Sequence, residues 1–214
     1  MRFSFSCLAV YTAGFLISAF QAVYPANPVI TNGVAAVAAG DGFSAYLEAN
    51  GSLYVAGNNN SGQLGDGSSI TRSTFGFVTS DVSLISCGTN FILFVKTNGS
   101  LWGMGDNYFG QFGDGSTTGS SVPKQILASG VAGVSAGASH SLILKADGSL
   151  WSAGLNITGQ LGDGSTADRS DPFRVVDSGV VSASAGDGHS LFVKADGSLW
   201  GMGSSWSGAL GTGT

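Results

Sequence analysis

Apolar residues in this chain fall in short runs closed by glycine with asparagine, aspartate or serine. One stretch shows the pattern well. Val131-Ala-Gly-Val-Ser-Ala-Gly137 alternates small and apolar residues, Ser141-Leu-Ile-Leu-Lys-Ala146 is a short apolar run, and Ser149-Leu-Trp-Ser-Ala153 follows after Asp147-Gly148. Asp-Gly or Asn-Gly between two such runs is a strong hairpin signal, and a type I′ turn with positive φ at both central residues is expected there. Beyond Gly162-Asp163-Gly164 lies Pro172-Phe-Arg-Val-Val176. It reads as an outer strand, because proline lacks the N–H that a central strand must donate. The stretch therefore predicts four short strands.

The same pattern is written four times. Asn50-Gly-Ser-Leu-Tyr, Asn98-Gly-Ser-Leu-Trp, Asp147-Gly-Ser-Leu-Trp and Asp196-Gly-Ser-Leu-Trp start 48, 49 and 49 residues apart. Gly62-Gln-Leu-Gly-Asp-Gly-Ser68, Gly110-Gln-Phe-Gly-Asp-Gly-Ser116 and Gly159-Gln-Leu-Gly-Asp-Gly-Ser165 keep the step, with a decayed copy at Gly208-Ala-Leu-Gly-Thr-Gly213. A third block opens at Gly40, Gly88, Gly137 and Gly186 and closes at Glu48, Lys96, Lys145 and Lys194. A constant period of this size predicts an array of one supersecondary unit. Four-stranded units repeated radially make a β-propeller, so the fold class is all-β, with repeats at 34–80, 81–129, 130–178 and 179–214. Tyr54, Trp102, Trp151 and Trp200 share one phase. That phase predicts rings packed between blades; a row of carbohydrate-stacking surface rings is the rival reading.

The composite pattern G-x-x-H-S-L-x-L-K-x-D-G-x-L-W-x-x-G-x-N-x-x-G-Q-L-G-D-G resembles the repeat of the regulator of chromosome condensation family over residues 34 to 214. The resemblance implies a propeller of roughly seven blades, of which about four are present here. It leaves open whether the chain is a fragment or a half-ring that self-associates into a closed ring. His140 and His189 match the pattern, whereas Phe43 and Phe91 replace the histidine in the first two units. Phenylalanine can neither ligate a metal nor transfer a proton, so His140 and His189 are expected to be structural, each pinning a turn by hydrogen bonds.

The first 24 residues read differently. Arg2 is the only charge before Asp41, and Cys7 to Phe20 is an apolar stretch too short for a comfortable membrane span. This predicts a signal peptide at 1–24, or an uncleaved anchor, followed by a short linker at 25–33, and hence a secreted or cell-surface protein. The composition fits a turn-rich β array outside the cell, with 35 glycines, 43% hydrophobic and only 10% charged residues. Of two cysteines, Cys7 lies in the leader and Cys87 fills the slot of Ala39, Ala136 and Ala185. Cys87 is expected to be a small buried residue, not half of a disulfide.

Charge and motif content narrow the chemistry. A net charge of −5 without a basic, aromatic-laced patch argues against a nucleic-acid partner. Lys96, Lys145 and Lys194 read as solvated strand ends. The chain lacks G-x-S-x-G, H-E-x-x-H and a phosphate loop, so neither catalysis nor a cofactor is expected, and two histidines do not supply a metal cluster. Asp66, Asp114 and Asp163 are in phase but lack the dense acidic spacing of calcium loops. Asn50, Asn98 and Asn156 sit in N-x-[ST] triplets, which matter only in a eukaryotic secretory pathway.

Recognition is expected where the repeat varies. Between hairpin and Gly-Gln block the units read Asn58-Asn-Asn-Ser61, Asp106-Asn-Tyr-Phe109, Leu155-Asn-Ile-Thr158 and Ser204-Ser-Trp-Ser207. Asn59, Asn107 and Asn156 share a position and read as structural, while Asn60, Tyr108, Phe109, Ile157 and Trp206 are the candidate binding residues. The rival reading is unconstrained solvent loops. Function then divides between a binding module for a protein or surface glycan, with no catalysis of its own, and a purely structural surface repeat. By family resemblance alone, guanine-nucleotide exchange on a small GTPase is a further alternative.

Overall fold

The computed structural model describes residues 29–30 and 32–213; the expected leader at 1–24 lies outside them. Four antiparallel sheets follow one another along the chain. The first blade is β1 (Val34–Ala39), β2 (Phe43–Glu48), β3 (Leu53–Gly57) and β4 (Arg72–Thr79). The second is β5 (Val82–Cys87), β6 (Phe91–Lys96), β7 (Leu101–Gly105) and β8 (Ser120–Leu127). The third is β9 (Val131–Ala136), β10 (His140–Lys145), β11 (Leu150–Gly154) and β12 (Arg169–Val176). The fourth has β13 (Val180–Ala185), β14 (His189–Lys194) and β15 (Leu199–Gly203), and a short 3-10 turn at Trp206–Gly208. Strand order within each sheet is sequential, so Pro123 and Pro172 lie in the edge strands β8 and β12, where a missing donor is tolerated.

The central hairpins are not type I′. Gly99 is left-handed (φ 77°) and its N–H donates to Lys96 O at 2.8 Å, but Asn98 does not share that conformation. Instead the Asn98 side chain accepts from Ser100 N–H (3.0 Å) and Ser100 hydroxyl (2.7 Å), and Asp147 and Asp196 do the same for Ser149 and Ser198. The side chain supplies locally the constraint that a second left-handed residue was expected to supply, as Asx turns do.

Blades stack through alternate residues of their second strands. Phe91, Leu93 and Val95 pack toward the third blade with Leu101, Phe112, Val131 and Ile143. Ile92 and Phe94 point the other way, into a cluster with Phe43, Ala45, Leu47, Leu53 and Val55 of the first blade. A third cluster joins Leu142 and Leu150 to Val180 and Phe192. Both faces of a central blade are thus buried, which is why β6 reads as a continuous apolar run rather than an alternating one. A backbone bond marks each boundary: the N–H groups of Val82, Val131 and Val180 donate to the turn carbonyls of Gly51, Gly99 and Gly148, each at 3.0 Å.

The glycine that opens each third block has a steric cause. The ring at the first position of β10, His140, lies directly over Gly137, where a Cβ would overlap it, and Phe43, Phe91 and His189 sit likewise on Gly40, Gly88 and Gly186. Any flat ring satisfies this contact, so Phe serves there in the first two blades and His in the last two.

Candidate functional site

The β3–β4, β7–β8 and β11–β12 connections and the segment after β15 emerge at equivalent points of successive blades, so their tips share one end of the array. A buried asparagine shapes each of the first three. Asn107 Oδ1 accepts from Phe112 N–H at 2.8 Å, and its Nδ2 donates to Ser116 O (3.0 Å) and Thr118 O (3.2 Å). Asn59 and Asn156 repeat the arrangement with Leu64 and Leu161. Burial of Asn156 also withdraws its amide from glycan attachment in the folded protein.

The Gly-Gln block locks the first two loops to the following blade. Gly67 N–H donates to Ser121 O at 2.8 Å and Gly115 N–H to Ser170 O at 3.0 Å. Gly110 lies so close to the Ser170 backbone that a Cβ would overlap it, and Gly62 meets Ser121 in the same way. This inter-blade duty is invisible in the sequence, where the glycines read as turn formers.

The aspartates of the block are already paired. Asp66 meets Arg72 (3.5 Å), Asp163 meets Arg169 (3.2 Å) and Asp114 meets Lys124. Hydrogen bonds from Ser68 lead in holding the Asp66 carboxyl below its ordinary range. Burial opposes ionisation of Asp114 and Asp163, but donors from Lys124 and Ser116, and from Ser165, Asn156 and Arg169, outweigh it. A carboxylate whose charge is met by a cation is a poor calcium ligand, and no group of three acidic, histidine or cysteine residues is placed to hold a metal among the described residues.

On this frame the variable tips project outward. Tyr108 is 72% exposed, Ile157 66% and Trp206 87%, and Asn60 is also exposed. Phe109 differs from the expectation of a free tip. It is half-buried, its N–H donates to Gln111 Oε1 (3.0 Å), and its ring meets Tyr108 edge-on at 5.0 Å. Phe109 therefore supports Tyr108. A shallow polar cleft beside Asn60, lined also by Gly67, Ser68 and Ser121, marks the boundary of the first two blades.

The repeated aromatic rings lie away from these tips. Trp102 stacks on Phe94 (6.3 Å, 11°) against the first inter-blade cluster, and Trp151 packs on the second cluster. Each indole N–H donates to the serine two residues earlier, at 2.8 Å. Tyr54 stacks on Tyr46 at 4.9 Å. Trp200 stacks on Phe192 but is 49% exposed, since β15 has no strand on its outer edge among the described residues. The lysines are not simply solvated strand ends: Lys96, Lys145 and Lys194 place their ammonium groups 5.1, 4.0 and 4.3 Å from the rings of Trp102, Trp151 and Trp200. The sequence held that signal in the fixed Lys-to-Trp spacing.

His140 is fully buried, and its hydrogen bond runs to the next blade rather than to its own turn. Its Nε2 lies 2.8 Å from Ser190 Oγ, and Ser190 donates its one proton to Gln160 O at 2.9 Å. The imidazole must therefore donate through Nε2. Burial, with a smaller contribution from His189, pushes its pKa down to about 4.

Four stacked four-strand-type blades with variable tips define a propeller-repeat scaffold. The chain belongs to the regulator of chromosome condensation (RCC1) repeat family, whose repeat matches residues 50–95, 98–144 and 147–193 in one phase and 34–63, 82–111, 131–160 and 180–208 in another. Among solved structures it is similar to human WBSCR16 (TM-score 0.74, 23% identity, 85% of this chain and 50% of that one). It is similar also to Prp20p from Saccharomyces cerevisiae (0.73, 23%, 85% and 48%), a structure described together with that protein's binding to Gsp1p and histones. The ectodomain of the Physcomitrella patens receptor kinase CR4 is more distant (0.52, 19%, 79% and 40%). The chain spans about half the length of the first two. Comparison with curated protein sequences gave no significant match.

Proposed function

We propose that this protein is a secreted or cell-surface propeller-repeat scaffold that captures a protein, or a surface glycan, through the loop tips at Asn60, Tyr108, Ile157 and Trp206, without catalysis of its own. The observation that carries the reading is the exposure of Tyr108, Ile157 and Trp206 at one repeat position, which in the second and third blades follows a buried asparagine that pins the loop. Large apolar tips on a rigid frame contribute nothing to folding there, since Asn60 serves in the first blade, and tyrosine and tryptophan are the commonest energetic anchors of interfaces. Export is supported by Arg2 and the Cys7–Phe20 apolar run. An exchange factor for a small GTPase needs a cytosolic setting, which that leader pattern opposes.

The test is capture from extracellular medium and from cell-surface extract with the parent and with a Tyr108→Ala/Trp206→Ala variant. Stability should stay within about 0.5 kcal/mol of the parent. Binding to the recovered partner should weaken by about 2 kcal/mol or more. Equal recovery of the same partners by both chains would refute the loop-face reading and leave a structural spacer.

A further inference from the structure

The second and third blades each have a neighbour on both sides, and their charges are divided unevenly between the two ends of the array. At the loop end five carboxylates meet two bases, and both bases are taken: Lys124 pairs with Asp114, and Arg169 with Asp163 at 3.2 Å. Asp106, Asp168 and Asp171 make no ion pair among the described residues. At the end of the central hairpins, Lys96, Lys145 and Arg174 balance Asp81, Asp147 and Asp177. The excess negative charge of these two blades therefore lies with the loop tips.

The repeat does not require these three carboxylates. Asp106 stands where the first and third blades have Asn58 and Leu155, Asp168 where the first and second have Thr71 and Gly119, and Asp171 where those two have Thr74 and Val122. Asp66, Asp114 and Asp163, by contrast, recur in phase and each meets a base. Neutral donors orient the unmatched groups without cancelling their charge. Asp106 Oδ1 accepts from Tyr108 N–H (3.1 Å) and its Oδ2 from Gln111 Nε2 (3.0 Å). Asp168 Oδ1 accepts from Asn156 N–H at 2.7 Å, and Asp171 is exposed beside Gly115. The fold then gathers them around the tips. Gly110 abuts the Ser170 backbone and Gly115 N–H donates to Ser170 O, so the Tyr108 loop lies against the start of β12, which carries Asp171 and follows Asp168. Ile157 is the residue after the asparagine that Asp168 holds. Tyr108 and Ile157, 72% and 66% exposed, thus stand among three carboxylates that lack a cation.

We propose that the boundary of the second and third blades binds a basic segment of a partner protein. An apolar side chain of the partner packs on Tyr108 and Ile157, while its arginine or lysine side chains meet Asp106, Asp168 and Asp171. The proposal rests on the loop-face reading and adds the charge of the partner, and with it the choice of a protein over a glycan. Unmatched carboxylates steer a cationic surface toward the tips over roughly 10 Å at moderate salt. At contact, arginine meets a carboxylate through paired N–H donors, and an exposed tyrosine ring accepts a cation on its face. An anionic glycan or a nucleic acid meets only like charge there.

The experiment measures fluorescence anisotropy of three labelled peptides with the full chain. The peptides share their length and their leucine and tryptophan residues, and carry arginine and lysine, glutamine, or glutamate at the remaining positions. The basic peptide should bind at least about tenfold more tightly than the neutral one, and the acidic one more weakly than both. Asp168→Asn/Asp171→Asn, which keeps the acceptor that Asn156 N–H needs, should bring the basic peptide close to the neutral one and remove most of its dependence on salt, with unchanged circular dichroism. Asp81→Asn, the same loss of charge at the exposed opposite end, should leave all three affinities as they are. Tyr108→Ala should weaken the basic and neutral peptides alike. Equal binding of basic and neutral peptides, no binding of the basic one, or an equal loss on Asp81→Asn would overturn the basic-partner proposal. A loss on Tyr108→Ala without one on the aspartate variant would retain the loop face and reject its charge preference, whereas the reverse would overturn the loop-face reading itself.

Discussion

His140 in the third blade and Ser190 in the fourth, fifty residues apart, share a buried hydrogen bond of 2.8 Å across a blade boundary. At the boundary before it, Phe91 takes the place of His140 while Ser141 keeps its bond to Gln111 O. The same interface is therefore built with and without an ionisable group, and the difference between them can be measured.

An unfolded histidine titrates near about 6.5, and His140 is lowered to about 4 by burial. Between these values the unfolded chain binds more protons, so stability falls as pH is lowered through that window, by at most about 3 kcal/mol. His140→Phe, which copies the Phe91 arrangement, should fold and should remove most of this slope. Urea midpoints at pH 7 and pH 5 test it; parallel losses in parent and variant would place the sensitivity elsewhere. The lowered carboxyls of Asp66, Asp114 and Asp163 act in a separate window, losing their contribution only below their ordinary range.

Asn107 holds the second loop by one accepted and two donated backbone bonds. Asn107→Ala leaves buried backbone groups unsatisfied and should cost about 2–3 kcal/mol. Asn107→Asp keeps the acceptor but puts a carboxylate beside Asp114, 3.4 Å from the present Nδ2, and should cost at least as much. Thermal melts of the two variants decide this, and unchanged melting points would mean that the loop is held by the Gly-Gln block alone.

Trp151 is half-buried on the second inter-blade cluster, under Lys145. Trp151→Ala should destabilise by about 3 kcal/mol, toward the lower end for removal of a packed indole. Trp200→Ala, at a half-exposed ring, should cost less than about 1 kcal/mol in the single chain. Equal losses at the two sites would show that their unlike surroundings do not matter.

Cys87 is partly buried rather than fully buried as expected, but its side chain packs against the first inter-blade cluster, and desolvation raises the thiol well above the ordinary range. A thiolate is the reactive form, so alkylation of Cys87 by iodoacetamide at pH 8 should be slow in the native protein and complete in denaturant. Rapid native labelling, read by mass spectrometry of the peptide containing Cys87, would show that the first two blades separate readily.

The sequence alone determined the unit and its count, because strand, turn and strand depend on neighbours a few residues away. Asx side chains, glycine at left-handed positions and short apolar runs specify a hairpin locally, and repetition at a fixed step specifies the array. Even there the turn type differs from type I′: Asn98 and Asp147 constrain the hairpin through side-chain acceptors rather than through a left-handed backbone. What lay beyond local reading was the direction of each contact. That His140 reaches Ser190 instead of its own turn and that Gly110 abuts Ser170 are settled only when one blade is laid on the next, and that Phe109 supports Tyr108 only when the loop itself is folded. Every unit carries nearly the same residues, so the sequence cannot say which face of a repeat meets which face of its neighbour. Stacking decides it, because it buries both apolar faces of the central sheets and gives the backbone N–H groups of Val82, Val131 and Val180 carbonyl partners in the preceding blade.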